Sequence, residues 1–256
     1  MPPGYHGFMR LKGLLVDLDG TLYVGDEPVE GAREAIERLK SSGLVLRYVT
    51  NTTRKPRREV CEHLLSLGFE VEEAEIFTPA KAAASLVGDR SCFLLVDESL
   101  LEDLGEVTLS QDRPDYVLVG DLGEGFTYDR LNAAFRHLMD GAELIALQKN
   151  RYWRKDDGLS LDAGPFVAAL EYASGTSATV IGKPEKDFFL LAIEEMGLGP
   201  HEVAMVGDDA EADVAGARAA GLKGIQVKTG KYHPGARGES DLALESFAKL
   251  PEALGV

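Results

Sequence analysis

The chain has 256 residues, of which 45% are hydrophobic, and it carries a formal net charge of −16. This length and composition suffice for an ordinary packed core and argue against disorder. The acidity argues against nucleic acid or an anionic membrane as the main partner, because both are polyanions. No apolar run approaches the roughly 20 residues that cross a bilayer, and the first residues lack the pattern of a signal peptide. We therefore expect a cytoplasmic protein.

Strand-like and helix-like segments alternate along the chain. The apolar runs that predict strands cover residues 13–17, 44–51, 92–97, 115–121, 142–148, 178–182, 202–209 and 223–230. The patterns that predict helices cover residues 28–43, 57–68, 128–141, 188–197 and 212–221. Strands that are joined by helices form βαβ units and a parallel sheet, so the sequence predicts an α/β fold. The section between residues 79 and 180 again has the order strand, helix, strand. The sequence does not define the ends of this section sharply.

Several predicted strands end in side chains that carry chemistry. GLLVD ends in Asp17, LRYVT ends in Thr50, VAMVG leads into Asp208, and ATVIG leads into Lys183. The carboxyl ends of parallel strands lie along one edge of a sheet, where ligands bind, so we expect these four side chains to converge. Carboxylates hold a hard divalent cation, while lysine and threonine bind anionic oxygens. The pattern therefore predicts a site for a divalent cation and a phosphate.

Four short motifs carry a resemblance to a known family. DLDGT at residues 17–21, VTN at 49–51, GKP at 182–184 and GDDAEAD at 207–213 resemble the signature motifs of the haloacid dehalogenase-like superfamily in its phosphatase form. The resemblance implies a Rossmann-like parallel-sheet core made of residues 1–78 and 181–256. It also implies an inserted α/β cap domain of the C2 type, residues 79–180. The segment 148–175 resembles the cap loop of one narrower branch of this superfamily.

The resemblance also implies roles for five acidic residues. Asp17 would be the nucleophile that attacks phosphorus and becomes an aspartyl phosphate. Asp19 would protonate the leaving oxygen and then take a proton from water, as general acid and later base. Mg²⁺ would be held by the carboxylates of Asp17 and Asp208 and by the main-chain carbonyl of Asp19, with waters completing an octahedron. Asp209 and Asp213 would act on the metal indirectly, for example through water.

Three further residues would bind the phosphate oxygens of the substrate: Thr50, Asn51 and Lys183. Each of the predicted site residues also has a plainer interpretation when it is considered alone. A DxD pair can cap a turn, and Thr50 with Asn51 can serve as a helix cap and turn. Lys183 can be a solvated helix start, and Asp213 can be a first-turn acid that complements a helix dipole.

A basic and aromatic loop lies inside the predicted cap. Its residues Arg151, Tyr152, Trp153 and Arg154 either contact the substrate or form a dimer contact, because Trp, Tyr and Arg are enriched at both kinds of surface. As a substrate loop it would comprise Asn150, Arg151, Trp153 and Arg154. The positive charge of the loop suggests a substrate with negative charge beyond the transferred phosphoryl group. The resemblance further implies a homodimer that forms through the cap.

Two other functions remain open at this point. A phosphorylation receiver uses the same Asp, Mg²⁺, Thr and Lys on a similar sheet without being an enzyme, but receivers are shorter and have no need of Asp19. A sugar phosphomutase would keep both Asp17 and Asp19, and only the resemblance of the cap disfavours it. The leading hypothesis is a Mg²⁺-dependent phosphatase that hydrolyses small phosphate monoesters, pyrophosphate or phosphoamides.

Overall fold

The structure is a computed structural model that describes residues 11–105, 107–155, 158–234 and 239–256, with only the backbone described for 153–155. The chain folds into two units. The core unit contains the described residues up to Thr50, together with Arg57–Phe77 and Lys183–Val256. The inserted unit contains Asn51–Pro56 and Thr78–Gly182. The inserted unit therefore includes all described residues of the predicted cap, and it adds one or two residues at each end of the cap and a short segment that directly follows Thr50.

Strands and helices alternate through most of the described residues. The strands are β1 Gly13–Asp17, β2 Tyr23–Val24, β3 Glu27–Pro28, β4 Val45–Val49, β5 Ile76–Phe77, β6 Ser91–Leu95, β7 Thr108–Leu109, β8 Tyr116–Val119, β9 Glu143–Ala146, β10 Tyr152–Lys155, β11 Gly158–Leu161, β12 Thr179–Val180, β13 Val203–Gly207, β14 Lys223–Val227 and β15 Leu242–Leu244. The helices are α1 Ala32–Ser41, α2 Arg57–Ser66, α3 Pro79–Val87, α4 Leu101–Leu104, α5 Tyr128–Met139, α6 Ala163–Ser174, α7 Lys186–Glu195, α8 Gly216–Ala219 and α9 Leu250–Leu254.

A six-stranded parallel sheet organises the core unit. Its strand order is β15-β14-β13-β1-β4-β5, so β1 lies in the interior between β13 and β4. All five residues of β1 are buried, which explains why this strand is a continuous apolar run up to Asp17. Apolar side chains from the sheet and from α1, α2 and α9 form one continuous hydrophobic cluster.

Helix α1 is shorter than its sequence pattern predicts. The pattern covers residues 28–43, whereas the helix begins at Ala32. Pro28 pairs instead with Tyr23 in the β2–β3 hairpin, and Gly31 adopts a left-handed φ of 76°. The helix therefore begins where this glycine redirects the chain, a conformation that other residues adopt only with strain.

A second parallel sheet organises the inserted unit. Its strand order is β12-β9-β8-β6-β7, and its apolar core includes residues of α5 and α6. The rings of Phe126 and Phe166 stack in this unit with their centroids 3.8 Å apart. Strands β10 and β11 form a separate antiparallel hairpin. Thr127 and Asp162 accept backbone hydrogen bonds at the starts of α5 and α6, as residues at helix N-termini commonly do.

The strand before Lys183 lies in the inserted unit and not in the core sheet. The expected convergence of strand ends groups ATVIG with the core strands, whereas the predicted cap boundary at residue 180 already leaves Thr179 and Val180 in the cap. Strand β12 of this run pairs with β9 of the inserted unit, through Thr179 and Ile145 and through Val180 and Ala146. Lys183 therefore enters the core unit from a loop and not from the end of a core strand. Because apolar periodicity is the same for strands of either sheet, it could not make this distinction.

The predicted α/β fold with a Rossmann-like parallel-sheet core is confirmed. Within the part of the chain that the structure describes, no helix is both long enough and apolar enough to cross a membrane. The carboxyl ends of the parallel core strands lie along one edge of the sheet, and the candidate residues can be located relative to this edge.

Adjacent leucines in α2 test the packing of the core unit. Leu64 is fully buried, whereas Leu65 is 51% exposed. We expect Leu64→Ala to lower the free energy of unfolding by about 2–5 kcal/mol, because it leaves a cavity. The matched Leu65→Ala variant should change this free energy by no more than about 0.5 kcal/mol. Urea denaturation of both variants measures the difference. Equal losses of unfolding free energy in the two variants would contradict the described orientation of α2.

Candidate active site

Three neighbouring core strands bring candidate residues to one edge of the sheet. Asp17 is the last residue of β1 and lies opposite Val49 in the adjacent strand β4. Thr50 directly follows β4, and Asp208 directly follows β13 on the other side of β1. The predicted convergence of these three strand ends is therefore present in the structure.

Lys183 lies between two carboxylates at this edge. Its Nζ contacts Oδ1 of Asp17 and lies 2.7 Å from Oδ1 of Asp213. All three side chains are buried. Burial alone lowers the pKa of a lysine, but the attraction of Asp17 and Asp213 outweighs it and raises the pKa of Lys183. Lys183 therefore stays charged and partly neutralises the acidic cluster.

Asp213 reaches the cluster from an unusual turn. Residues Ala210–Ala215 form a π-helical turn directly after the Asp208–Asp209 pair, and such turns are frequent at functional sites. The Asp209 carboxylate caps this turn by accepting hydrogen bonds from Glu211 N and Ala212 N, at 3.0 and 2.9 Å. Burial, and after it the charge of Asp17, raise the pKa of Asp213 to about 7, although Lys183 acts in the opposite direction. Asp213 is therefore a member of the buried cluster itself, while Asp209 shapes the turn.

The three carboxylates of Asp17, Asp208 and Asp213 are arranged as a candidate metal site. Each offers an oxygen that lies within 4.8 Å of the other two. Burial raises the pKa of Asp208, as does the charge of Asp17, and the Lys231 amide only partly offsets this. Three acids facing one lysine leave an excess of negative charge, and oxygen-only donors suit a hard divalent cation. The residues present therefore fit Mg²⁺, with Asp213 as an additional candidate ligand.

Asp19 differs from the other acids because it is exposed. It lies two residues beyond the end of β1, and the backbone turns back at Gly20, whose N–H donates to the carbonyl of Tyr23 at 2.7 Å. Burial, and then the charges of Asp19 and Asp17, raise the pKa of Tyr23 to about 12. The hydroxyl of Thr21 donates to Oδ2 of Asp17 at 3.2 Å. This loop therefore orients the Asp17 carboxylate while leaving Asp19 accessible for proton exchange.

The two predicted phosphate-binding residues Thr50 and Asn51 fall into different units. Thr50 belongs to the core unit, where its N–H donates to the carbonyl of Phe77 at 3.3 Å. Asn51 belongs to the inserted unit. Its Oδ1 lies beside Gly182, where a Cβ atom would be 3.1 Å from that oxygen and 2.8 Å from the Leu147 carbonyl. The absence of a side chain at Gly182 thus permits the close approach of these segments within the inserted unit.

The predicted substrate loop lies in the inserted unit and is only partly described. Asn150 and Arg151 are exposed, while the side chains of Trp153 and Arg154 lie outside the described residues. The start of the loop is held by a buried polar pair that sequence reasoning overlooked. Gln148 donates from Nε2 to Asp162 and accepts at Oε1 from the N–H of Asn150.

Sequence reasoning also missed the turn of residues 229–231. It contacts both Asp208 and Gly20 through hydrogen bonds. The stretch VKTGKY at residues 227–232 contributes to the family resemblance, and its Thr-Gly pair after an apolar strand predicts a turn, but neither signal indicates which residues the turn contacts.

Comparisons with known proteins identify the family of the chain. The family described as Haloacid dehalogenase-like hydrolase matches residues 14–110, and the family described as HAD-hyrolase-like matches residues 180–250. Together with the relatives below, these matches show that the chain belongs to the haloacid dehalogenase-like hydrolases. The predicted family is confirmed.

Named relatives are similar over most of the chain. Haloacid dehalogenase-like hydrolase domain-containing protein 2 of Bos taurus is 50% identical over 224 residues, which is 87% of this chain and 86% of that protein. Phospholysine phosphohistidine inorganic pyrophosphate phosphatase of Danio rerio is 41% identical over 232 residues, with 88% and 85% covered. The solved 4-nitrophenylphosphatase of Thermotoga maritima has a TM-score of 0.88 and 26% identity, covering 97% of this chain and 99% of that one.

Removal of Lys183 tests the electrostatics of the buried cluster. We expect Lys183→Met to lower the free energy of unfolding by about 3–5 kcal/mol in the presence of chelator, because two buried carboxylates lose their counter-charge. Added Mg²⁺ should recover part of this loss. Urea denaturation with and without Mg²⁺ measures both effects.

Lys12→Met is the matched control for this variant. It removes an ion pair with Glu202 in which the lysine side chain is 66% exposed. Exposed pairs contribute little to stability. If the two variants lose the same free energy of unfolding, the buried ion pairs of Lys183 do not stabilise the fold more than an exposed ion pair does.

Proposed function

We propose that this hydrolase removes a phosphoryl group from small phosphorylated molecules with the help of Mg²⁺. Its family and its relatives named as phosphatases make it a phosphatase. The observation that carries the more detailed mechanism is the buried cluster of Asp17, Lys183, Asp208 and Asp213 at the strand-end edge. The same relatives favour an enzyme over the non-catalytic receiver.

The first chemical step forms an aspartyl phosphate, a mixed anhydride between the Asp17 carboxylate and the phosphoryl group. A carboxylate oxygen of Asp17 attacks phosphorus, and the bond from phosphorus to the leaving oxygen or nitrogen breaks. Asp19 gives its proton to the leaving atom, a role that its exposed position on the loop permits. Thr21 holds the other oxygen of Asp17 through its hydroxyl and thereby limits rotation of the nucleophile.

The second step hydrolyses the aspartyl phosphate. Asp19, now ionised, takes a proton from a water molecule, whose oxygen attacks phosphorus. The bond between phosphorus and the Asp17 oxygen breaks, which releases inorganic phosphate and restores the carboxylate. Asp19 regains its proton, so the enzyme is ready for another turnover.

Positive charge must offset the repulsion between Asp17 and an anionic substrate. Lys183 supplies one charge next to Asp17, and together with Thr50 it is placed to stabilise phosphoryl oxygens. Asp17, Asp208 and Asp213, together with the main-chain carbonyl of Asp19, would hold Mg²⁺, and the cation would supply further electrostatic stabilisation of the transferring phosphoryl group.

The substrate class is proposed from the names of relatives. One relative is named for phospholysine, phosphohistidine and inorganic pyrophosphate, and a structural neighbour for 4-nitrophenyl phosphate. We propose that this chain acts on the same range of small phosphoamides, anhydrides and monoesters. The roles of the inserted unit as a C2-type cap and of Asn51, Arg151 and Arg154 as substrate contacts stay predictions, as does the cytoplasmic location.

Phosphate release by wild type and by Asp17→Asn tests the mechanism. We expect wild type to release phosphate over many turnovers from at least one member of a panel that contains 4-nitrophenyl phosphate, pyrophosphate, phosphohistidine and phospholysine. Chelator should abolish this release. Asp17→Asn should lower kcat by at least about 10⁴-fold, because it removes the nucleophile.

Asp26→Asn is the matched control, since it removes one exposed carboxylate of the same unit. Its kcat should equal that of wild type. Uptake of a single phosphoryl group without turnover would support the receiver hypothesis. Activity that persists in chelator would contradict a role for Mg²⁺.

We also propose a homodimer that forms through the inserted unit. The β10–β11 hairpin pairs Tyr152 with Leu161, and Leu159 lies two residues away on the same face of its strand. These side chains are 58%, 59% and 66% exposed, respectively. Such a cluster of large apolar side chains on one face suits contact with a second copy of the chain.

Charge substitution on the hairpin tests this dimer. We expect wild type to sediment as a dimer and Leu161→Lys to sediment as a monomer, because a lysine would have to be desolvated at the interface. Leu109→Lys, at another leucine of the inserted unit that is 58% exposed, is the control and should leave the dimer intact. A wild type that sediments only as a monomer would exclude the proposal.

A further inference from the structure

We infer that the turn Thr229–Lys231, which follows β14, positions both the metal-binding carboxylate of Asp208 and the loop that carries Asp19. The inference rests on the proposed function, because it assigns Asp208 to cation binding. The turn has no part in the chemistry proposed above. It acts through its contacts with residues that do.

The first contact fixes one oxygen of Asp208. The backbone N–H of Lys231 donates to Oδ2 of this carboxylate. On the main-chain side, Nε2 of Gln226 donates to the carbonyl of Asp208 at 3.4 Å. A carboxylate with one oxygen held by an amide presents its other oxygen in a defined direction, so Oδ1 is assigned to the cation.

Two glycines allow the turn to approach this closely. Gly20 and Gly230 both have left-handed backbones, with φ values of 88° and 53°. A Cβ atom on either glycine would overlap Oδ2 of Asp208, and a Cβ atom on Gly230 would also overlap the Cα of Gly20. Asp208 Oδ2 therefore lies against the backbone of two glycines from separate parts of the chain.

The second hydrogen bond of the turn links it to the loop of the proposed general acid and base, Asp19. The hydroxyl of Thr229 donates to the carbonyl oxygen of Gly20, the residue directly after Asp19. Thr229 is half-buried, so water competes less with this bond than at an open surface. Because the same turn holds Asp208 and Gly20, it sets the distance between the cation-binding carboxylate and the loop of Asp19. Displacements of about 1 Å at such a site can reduce a rate by about 100-fold.

Paired glycine substitutions separate this role from general stability. Gly43 has a left-handed φ of 87° with open space around its Cβ position, whereas a Cβ on Gly230 would overlap Asp208. Both alanine variants therefore carry backbone strain, but only Gly230→Ala disturbs the carboxylate. We expect Gly230→Ala to raise the Mg²⁺ Kd of the substrate-free protein by at least about tenfold. Gly43→Ala should leave the Mg²⁺ Kd unchanged, as measured by isothermal titration calorimetry.

Substitutions of Thr229 test the link to the Asp19 loop. Thr229→Val keeps the shape of the side chain but removes the hydroxyl, and we expect it to lower kcat at saturating Mg²⁺ by about tenfold. Thr229→Ser keeps the hydroxyl and should restore most of the wild-type kcat. A purely structural role would not distinguish serine from valine in this way when both variants are folded by circular dichroism.

The outcomes separate the inference from the proposed function. If wild type binds no Mg²⁺ in calorimetry, the proposed function fails, and the inference fails with it. If wild type binds Mg²⁺ and turns over substrate, while Gly230→Ala and Thr229→Val match it in Kd and kcat, the inference is overturned and the proposed function stands.

Discussion

The buried ion cluster around Lys183 is the constraint on which the rest of the site depends. A buried ammonium or carboxylate is stable only when it is paired, and here one lysine contacts Asp17 and Asp213 at once. Asp17 is at the end of the first core strand, and Lys183 lies in the loop that enters the core unit after the inserted unit. Asp213 lies in a π-helical turn. The segments must therefore fold together, because each charged group depends on the others for compensation.

The parallel sheet makes this convergence possible. With β1 between β13 and β4, the ends of these three strands place Asp17, Asp208 and Thr50 at one edge. Burial, and after it the charge of Asp17, raise the pKa values of both Asp208 and Asp213 at this edge. Lys183 relieves only part of the repulsion between these acids. A divalent cation held by the cluster, as proposed above, would relieve more of it and would thereby stabilise the folded protein.

The acids of the cluster and of the neighbouring loop differ in burial, in line with the roles proposed for them. Asp17, Asp208 and Asp213 are buried and fixed by hydrogen bonds or ion pairs, which suits a nucleophile and metal ligands that must keep their geometry. Asp19 is exposed on a turn, which suits a group that exchanges protons with a leaving atom and with water. The turn Thr229–Lys231 connects the two sets through Asp208 and Gly20. Two carboxylates that lie one residue apart in the sequence DLD thus have different environments because the strand ends between them.

The sequence by itself determined the α/β alternation, the family and the residues at the strand ends, because apolar periodicity and short motifs are local properties. Only the tertiary structure decided that ATVIG pairs within the inserted unit, that Asn51 lies in a different unit from Thr50, and that Asp213 contacts Lys183 directly. The sequence likewise did not indicate that the turn at Gly230 contacts Asp208. Each of these depends on which distant segments pack together, and the free energy of that packing is not encoded in any single stretch of the chain.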